Sequence, residues 1–208
     1  KLLSAAELSK ITSRYENHTL SIREMQDLAA KITDAYRQKG YITSRAILPP
    51  QKVENGVLKV EIVEGVLGKI SVAGNRYFST ALIKRRVALK EGQPFDYNKL
   101  RNNLSLINQY ADRKAKTVLS PGEKPGTTDL LLNVKDNLPV HLGLSYDNYG
   151  SRYLRKSRYL GTLTHNNLLG FDDVMTLTYQ VGEGHNTYRL ESMRYIVPVT
   201  NATQIGFY

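Results

Sequence analysis

Cysteine is absent from the 208 residues. Disulfide scaffolds, thiol nucleophiles and cysteine-rich zinc sites are thereby excluded. Histidine is scarce: His18, His141, His165 and His185 are the whole complement, and no two stand at metal-ligand spacing. No metal site is expected. Long apolar runs are missing as well. Without a stretch of about 18 apolar residues there is no transmembrane helix, although a membrane β-barrel leaves a far weaker trace. The opening Lys1-Leu2-Leu3-Ser4 has no signal-peptide organisation; a secreted protein numbered from its mature start looks the same. Neither a Ser/His/Asp arrangement nor a phosphate-binding glycine loop occurs, and Gly182-Glu183-Gly184 reads as a hairpin turn. Adjacent strand residues point to opposite faces, so Asp172-Asp173 suits a turn better than a pair of catalytic carboxylates. No enzyme activity, catalytic residue or cofactor is expected.

What is present is the composition of a folded protein. Hydrophobic residues make up 41% and charged residues 23%, which argues against wholesale disorder. The net charge of +10 is unevenly spread. Residues 1–66 hold 10 Lys+Arg against 8 Asp+Glu, residues 67–137 hold 13 against 6, and residues 138–208 hold 6 against 5. The excess sits in the middle third. Such a patch suits nucleic acid, acidic protein segments or anionic headgroups, and charge alone does not choose among them.

A repeat organises the first two thirds. Each copy opens with a short helix behind a serine cap: Ser4, with Glu7 at capping-box spacing, and Ser79. A longer helix follows in each. In the first copy Ser21 caps it, Glu24 completes the box, and Ile22, Met25, Leu28, Ala29, Ile32 and Tyr36 form one apolar face ending before Gly40. In the second copy Asp96 caps, and Tyr97, Leu100, Leu104, Ile107 and Ala111 follow the same template. Two strands come next, over residues 41–48 and 57–64, then over 113–119 and 128–135. Leu58, Val60 and Ile62, and later Leu130, Leu132 and Val134, supply the alternating core faces. Pro49-Pro50-Gln51 with Asn55-Gly56, and residues 121–126, are turn-rich connections. The second copy also has a strand before its first helix, Lys69-Ile70-Ser71-Val72-Ala73. Its counterpart in copy one would precede Lys1, so copy one is read as lacking its first strand. The module is β-α-α-β-β: a three-stranded sheet with two helices on one face.

The last third reads as antiparallel strands over 140–149, 158–167, 174–182, 188–197 and 203–208, about the length that crosses a bilayer at a tilt. Val140, Leu142, Leu144 and Tyr146 alternate with polar neighbours, as do Met175, Leu177, Tyr179 and Val181. The fourth strand is less regular, because Arg189 and Glu191 share a face with Met193 and Tyr195. Eight of the 14 tyrosines fall here, which interfacial girdles or plain β-propensity explain. Five strands fall short of the smallest closed barrel, about eight, so the barrel is read as incomplete. Arg152, Arg155, Lys156 and Arg158 would lie in an outer loop near headgroups, and Lys84-Arg85-Arg86 reads as a solvated helix face.

A β-α-α-β-β repeat ahead of bilayer-length strands resembles the polypeptide-transport-associated (POTRA) domains of the Omp85 superfamily. Residues 28–46, with Ala35-Tyr36-Arg37-Gln38-Lys39-Gly40-Tyr41 at their centre, and Pro49-Pro50-Gln51 look like the first POTRA domain of two-partner secretion transporters of the ShlB/FhaC/HecB type. Val63-Glu64-Gly65 is similar to the end of that domain, and Val72, Gly74 and Asn75 to the start of the next. Tyr146-Asp147-Asn148-Tyr149-Gly150-Ser151 resembles the first strand of the barrel, and Asn167, Gly170 and Asp172-Asp173 a periplasmic turn after it. The family's plug helix, most of its barrel and its conserved-loop arginine motif are not seen in these residues.

The resemblance implies an α+β fold in three parts: 1–66 as POTRA 1, 67–137 as POTRA 2, and 138–208 as the start of an outer-membrane β-barrel. It implies an outer-membrane exporter with periplasmic modules and a secreted exoprotein partner bearing an N-terminal secretion domain. The expected contacts are with that partner and outer-membrane lipid, not nucleic acid, and the expected state is a monomer. A client strand would add to the edge strand after the second helix of each module. The residues expected to meet it are Thr43, Arg45 and Ile47 in the first module and Lys114, Lys116 and Val118 in the second. An assembly factor that inserts other barrels is the alternative within the superfamily, disfavoured by the motif over 36–51 and by the two modules. A basic nucleic-acid-binding protein is the remote alternative. It would need aromatics interleaved with the basic patch, whereas Tyr77, Phe78, Phe95, Tyr97 and Tyr110 fall mostly at helix-core positions.

Overall fold

A computed structural model describes residues 2–53, 56–151, 153, 156–183, 188–200 and 203–208. Asn55, Gly184 and the loop cations Arg152 and Arg155 lie outside the described residues. The chain forms two compact units. One comprises residues 1–73, 84–105 and 115–133, the other 74–83, 106–114 and 134–208.

The first unit opens with helix α1 (Ala5–Thr12). Ser4 Oγ accepts from the Glu7 N–H at 3.3 Å, and the Glu7 carboxylate accepts from the Ser4 N–H at 2.9 Å. Two backbone donors that the helix itself cannot satisfy are thus paired. Ser21 and Glu24 build the same box at the head of α2 (Ile22–Gln38). The helical spacing drives Leu28, Ala29, Ile32 and Tyr36 into a core shared with Leu3 and Ala46. The apolar stripe expected from the sequence begins a turn too early, since Ile22 is 75% exposed. Gly40 ends the helix at φ +95°, a conformation open to glycine and strained for side-chain-bearing residues.

Two short strands follow, β1 (Arg45–Ile47) and β2 (Glu61–Val63), antiparallel with Ala46 opposite Ile62. Both are shorter than the sequence suggests. Residues 42–43 turn, and Pro49 and Pro50 have no N–H to extend the ladder. Beyond the prolines the Gln51 side chain stands in for a strand. Its amide donates to the Lys59 carbonyl at 2.7 Å and accepts from the Lys59 N–H at 2.8 Å.

The second copy contributes β3 (Val66–Ala73), α3 (Thr80–Val87), α4 (Tyr97–Asn108), β4 (Arg113–Pro121) and β5 (Thr127–Asp136). Ser79 caps α3 through the Leu82 N–H at 3.2 Å, and Asp96 caps α4 through the Lys99 N–H at 3.0 Å. The sheet order is β3-β5-β4, with β3 parallel to β5. The β-α-α-β-β pattern is therefore complete, with β4 at the edge. Within the first unit the two copies meet at helix ends. The Gly40 carbonyl accepts from the Tyr97 N–H at 2.9 Å, and the Lys39 carbonyl faces the Asn98 amide at 3.4 Å. The negative end of one helix dipole thus meets the positive end of another.

The second unit holds a five-stranded antiparallel meander: β6 (Val140–Asp147), β7 (Arg158–Asn166), β8 (Val174–Gly182), β9 (Arg189–Pro198) and β10 (Gln204–Phe207). The register aligns Leu142, Leu163, Leu177 and Met193 in one row and Leu144, Gly161, Tyr179 and Glu191 in the next. These rows form one face, on which Leu142 is 73% and Leu144 80% exposed. It is an apolar face left open to solvent. The other face carries Ser145, Thr162, Thr176, Thr178 and Gln180. The irregularity in β9 is locally resolved: Arg189 Nε donates to Glu191 at 2.8 Å, and its guanidinium lies 5.6 Å from the Tyr179 ring centre.

Candidate functional site

In the first unit a groove of about 430 Å³ runs between α2 and β1. Ala29, Ala30 and Thr33 line it from the helix, and Ala46, Ile47 and Leu48 from the strand. The two alanines leave the gap: larger side chains there would fill it. At the rim Arg37 pairs with Asp34 at 3.4 Å. Antiparallel bonding alternates along a strand. Ala46 donates not to β2 but to Thr33 Oγ at 3.0 Å, so Ala46 faces the groove while Arg45 and Ile47 face β2. The Thr33 hydroxyl in turn donates to the Ala29 carbonyl at 2.9 Å. Behind the strand, Ser44 Oγ accepts from the Gly65 N–H at 3.0 Å. Glu64 receives the Leu2 N–H and the Tyr36 hydroxyl, each at 3.0 Å. Burial, reinforced by the Glu64 carboxylate, pushes the Tyr36 phenol up to about 12.

Thr43, expected on the edge, sits in the turn before β1, and its Oγ packs where a Cβ on Gly65 would fall. Arg45 is exposed and Ile47 half-buried in the groove wall. Their main chains are turned to β2, so what they offer a client is side-chain contact. On β4, Lys114, Lys116 and Val118 all project into solvent, alternating with the inward Ala115 and Thr117. Lys114 Nζ donates to the Asn108 carbonyl at 2.9 Å.

The second unit holds a constellation that sequence reading missed. Arg113, at the start of β4, is 1% exposed. Its guanidinium forms a two-pronged pair with Asp172, with Nη2 3.0 Å from Oδ2 and Nη1 on Oδ1. Nε donates to the Ile107 carbonyl at 3.3 Å, and the rings of Tyr110 and Phe78 lie 4.4 and 5.0 Å away. Next to it, buried Asp112 accepts from Asn166 at 2.7 Å and meets His141 Nε2 at 2.9 Å. The receiving turn is itself organised. Asp173 accepts from the N–H groups of Leu169 and Phe171 and from the Tyr195 hydroxyl, and Asn167 accepts from the Asp172 N–H at 3.0 Å. Asp172-Asp173 is thus a turn, as expected, and also a docking point. One signal was available in the sequence: Arg113 shares the inward parity of Ala115 and Thr117, where an arginine must be paired.

Family models cover the chain in tandem. The "POTRA domain, ShlB-type" matches residues 1–65, the POTRA model described as "Surface antigen variable number repeat" matches 66–136, and "Haemolysin secretion/activation protein ShlB/FhaC/HecB" matches 126–206. The heme/hemopexin transporter protein HuxB of Haemophilus influenzae is 28% identical over 82% of this chain and 31% of its own length. The outer membrane transporter CdiB of Dickeya dadantii is 26% identical over 89% of this chain and 32% of its own. The chain thus spans about a third of the length of these curated relatives. The solved structure of CdiB from Escherichia coli superposes with a TM-score of 0.78 at 26% identity, covering 94% of this chain and 37% of that one. Tandem POTRA modules, an open antiparallel sheet and these matches together give the chain two POTRA domains followed by the start of a ShlB/FhaC/HecB-type domain, the organisation of the two-partner secretion transporters to which it is similar.

Proposed function

We propose that the protein exports an exoprotein across the bacterial outer membrane, with residues 1–66 and 67–137 as periplasmic POTRA modules and 138–208 as the first wall of the barrel. The modules hold the unfolded client by strand addition and pass it to the pore. The observation that carries this reading is the groove beside β1: a strand edge flanked by a gap rather than by another strand. Main-chain pairing suits a moving client because it does not depend on side-chain identity. The solvent-facing Lys114 and Lys116 add attraction for acidic client segments and speed encounter. The partner is an exoprotein of adhesin, haemolysin or toxin type with an N-terminal secretion domain. The protein works as a monomer in contact with outer-membrane lipid, performs no catalysis and binds no nucleic acid.

The test places a photo-crosslinking residue at Ile47 or Val118 of the full-length exporter during active secretion. Crosslinks to the exoprotein are expected from both sites. Normal secretion without a crosslink from either would remove the reading.

A further inference from the structure

The groove beside β1 is already occupied at one atom. Ala46, the strand residue whose main chain faces the groove, has its N–H bonded to the Thr33 hydroxyl at 3.0 Å. The same hydroxyl donates its proton to the Ala29 carbonyl one turn back at 2.9 Å. Its polarity is therefore fixed, with the proton on the helix side and a lone pair toward the strand. Ala46 is 9% exposed, so its N–H depends on this partner rather than on bulk water. An added client strand must pair with the same N–H, because Arg45 and Ile47 spend their main-chain groups on β2.

We propose that Thr33 is a gating residue of the client groove: its hydroxyl stands in for the client's carbonyl, keeps the edge satisfied when empty, and is displaced when a strand is added. This rests on the reading of the groove as the client site. The device answers two demands. An unpaired, half-buried edge invites aggregation, and a side-chain oxygen on the donor blunts it without closing the groove. It also lowers client affinity, because the incoming carbonyl exchanges one hydrogen bond for another and gains little net. Weak holding is what a site must have if it hands its client onward. The geometry also describes the occupant. Ala29 and Ala30 face Ile47 and Leu48 across the gap. An extended segment therefore seats an apolar side chain there while its main chain bonds to Ala46.

The experiment uses the full chain in detergent micelles and a fluorescein-labelled ten-residue peptide alternating valine and threonine, read by anisotropy. Thr33→Val keeps the shape and removes the acceptor; Thr33→Ser keeps the hydroxyl. Ala30→Arg, at an exposed helix position, fills the groove. Thr33→Val is expected to bind the peptide about five- to tenfold more tightly, since the client then relieves an orphaned N–H. Thr33→Ser should match the unaltered protein, and Ala30→Arg should lose binding. Without peptide, Ala46 amide exchange should quicken in Thr33→Val only. Equal or weaker binding by Thr33→Val, with Ala30→Arg still blocking, overturns the gate and leaves the groove standing as the client site. Binding by Ala30→Arg equal to the unaltered protein, or no binding by any form, overturns the groove reading and the gate with it. Unchanged Ala46 exchange in Thr33→Val overturns the gate whatever the peptide does. A tighter-binding variant cannot be explained by damage to the fold.

Discussion

Arg113 and Asp172, fifty-nine positions apart, meet as a two-pronged ion pair in which neither side chain retains solvent exposure. One begins the edge strand of the second module's sheet; the other lies in the turn between the second and third strands of the antiparallel meander. Taking both charges out of water is costly, and the cost is offset only while the geometry holds.

Removing one partner should therefore be expensive. Arg113→Met or Asp172→Asn alone is expected to destabilise the second unit by about 3–5 kcal/mol, because a buried charge loses its counter-ion. The double variant should cost less than the sum of the two singles. Asparagine is chosen because Asp172 has φ +63°, which asparagine tolerates. Denaturant midpoints in detergent, with amide exchange across residues 167–173, check this. Additive single effects would mean that the pair is not coupled.

Gly40 should tolerate no side chain. A Cβ there would lie 2.5 Å from Asn98 Nδ2, and the backbone is at φ +95°. Gly40→Ala is expected to cost more than about 1 kcal/mol and to open the junction of α2 with α4. The readout is faster exchange of the Tyr97 amide, which donates to the Gly40 carbonyl. Unchanged exchange would mean that the helix ends are not coupled through this glycine.

The first helix should respond to acid. Hydrogen bonding from Lys39, then from the Ser4 backbone and hydroxyl, holds Glu7 well below its ordinary 4.5, at about 2. The folded-state value lies below the unfolded one. The contribution is thus full above 4.5 and is lost as pH falls through the window from 4.5 to about 2. Glu7→Gln should be less stable than the unaltered protein at neutral pH, with the gap closing across that window. Thermal midpoints at stepped pH measure it, and a gap independent of pH would contradict the assignment.

Much of the fold was legible because it is written in local rules. Ser4 with Glu7 and Ser21 with Glu24 specify helix starts through atoms three residues apart. Leu28, Ala29, Ile32 and Tyr36 mark a buried face by spacing alone, and period-two alternation separated the apolar face of β6–β8 from the polar one. The candidate site was legible only in outline. The strands after the second helices were identified, but Thr43 falls in a turn, and the main chains of Arg45 and Ile47 are turned to β2. One residue of register decides which amides a strand offers, and periodicity does not set that parity at a free edge.

The sequence by itself determined the repeat, the helix caps, the concentration of positive charge in residues 67–137 and the alternating strands of the last third, because each follows from composition or from neighbours within a few positions. Only tertiary structure decided that Thr33 covers the Ala46 donor, that Gln51 replaces a strand beside Lys59, and that Arg113 is buried against Asp172. In each case a polar group leaves water and must be met by a partner, and which partner it meets is settled by how the chain folds rather than by distance along it.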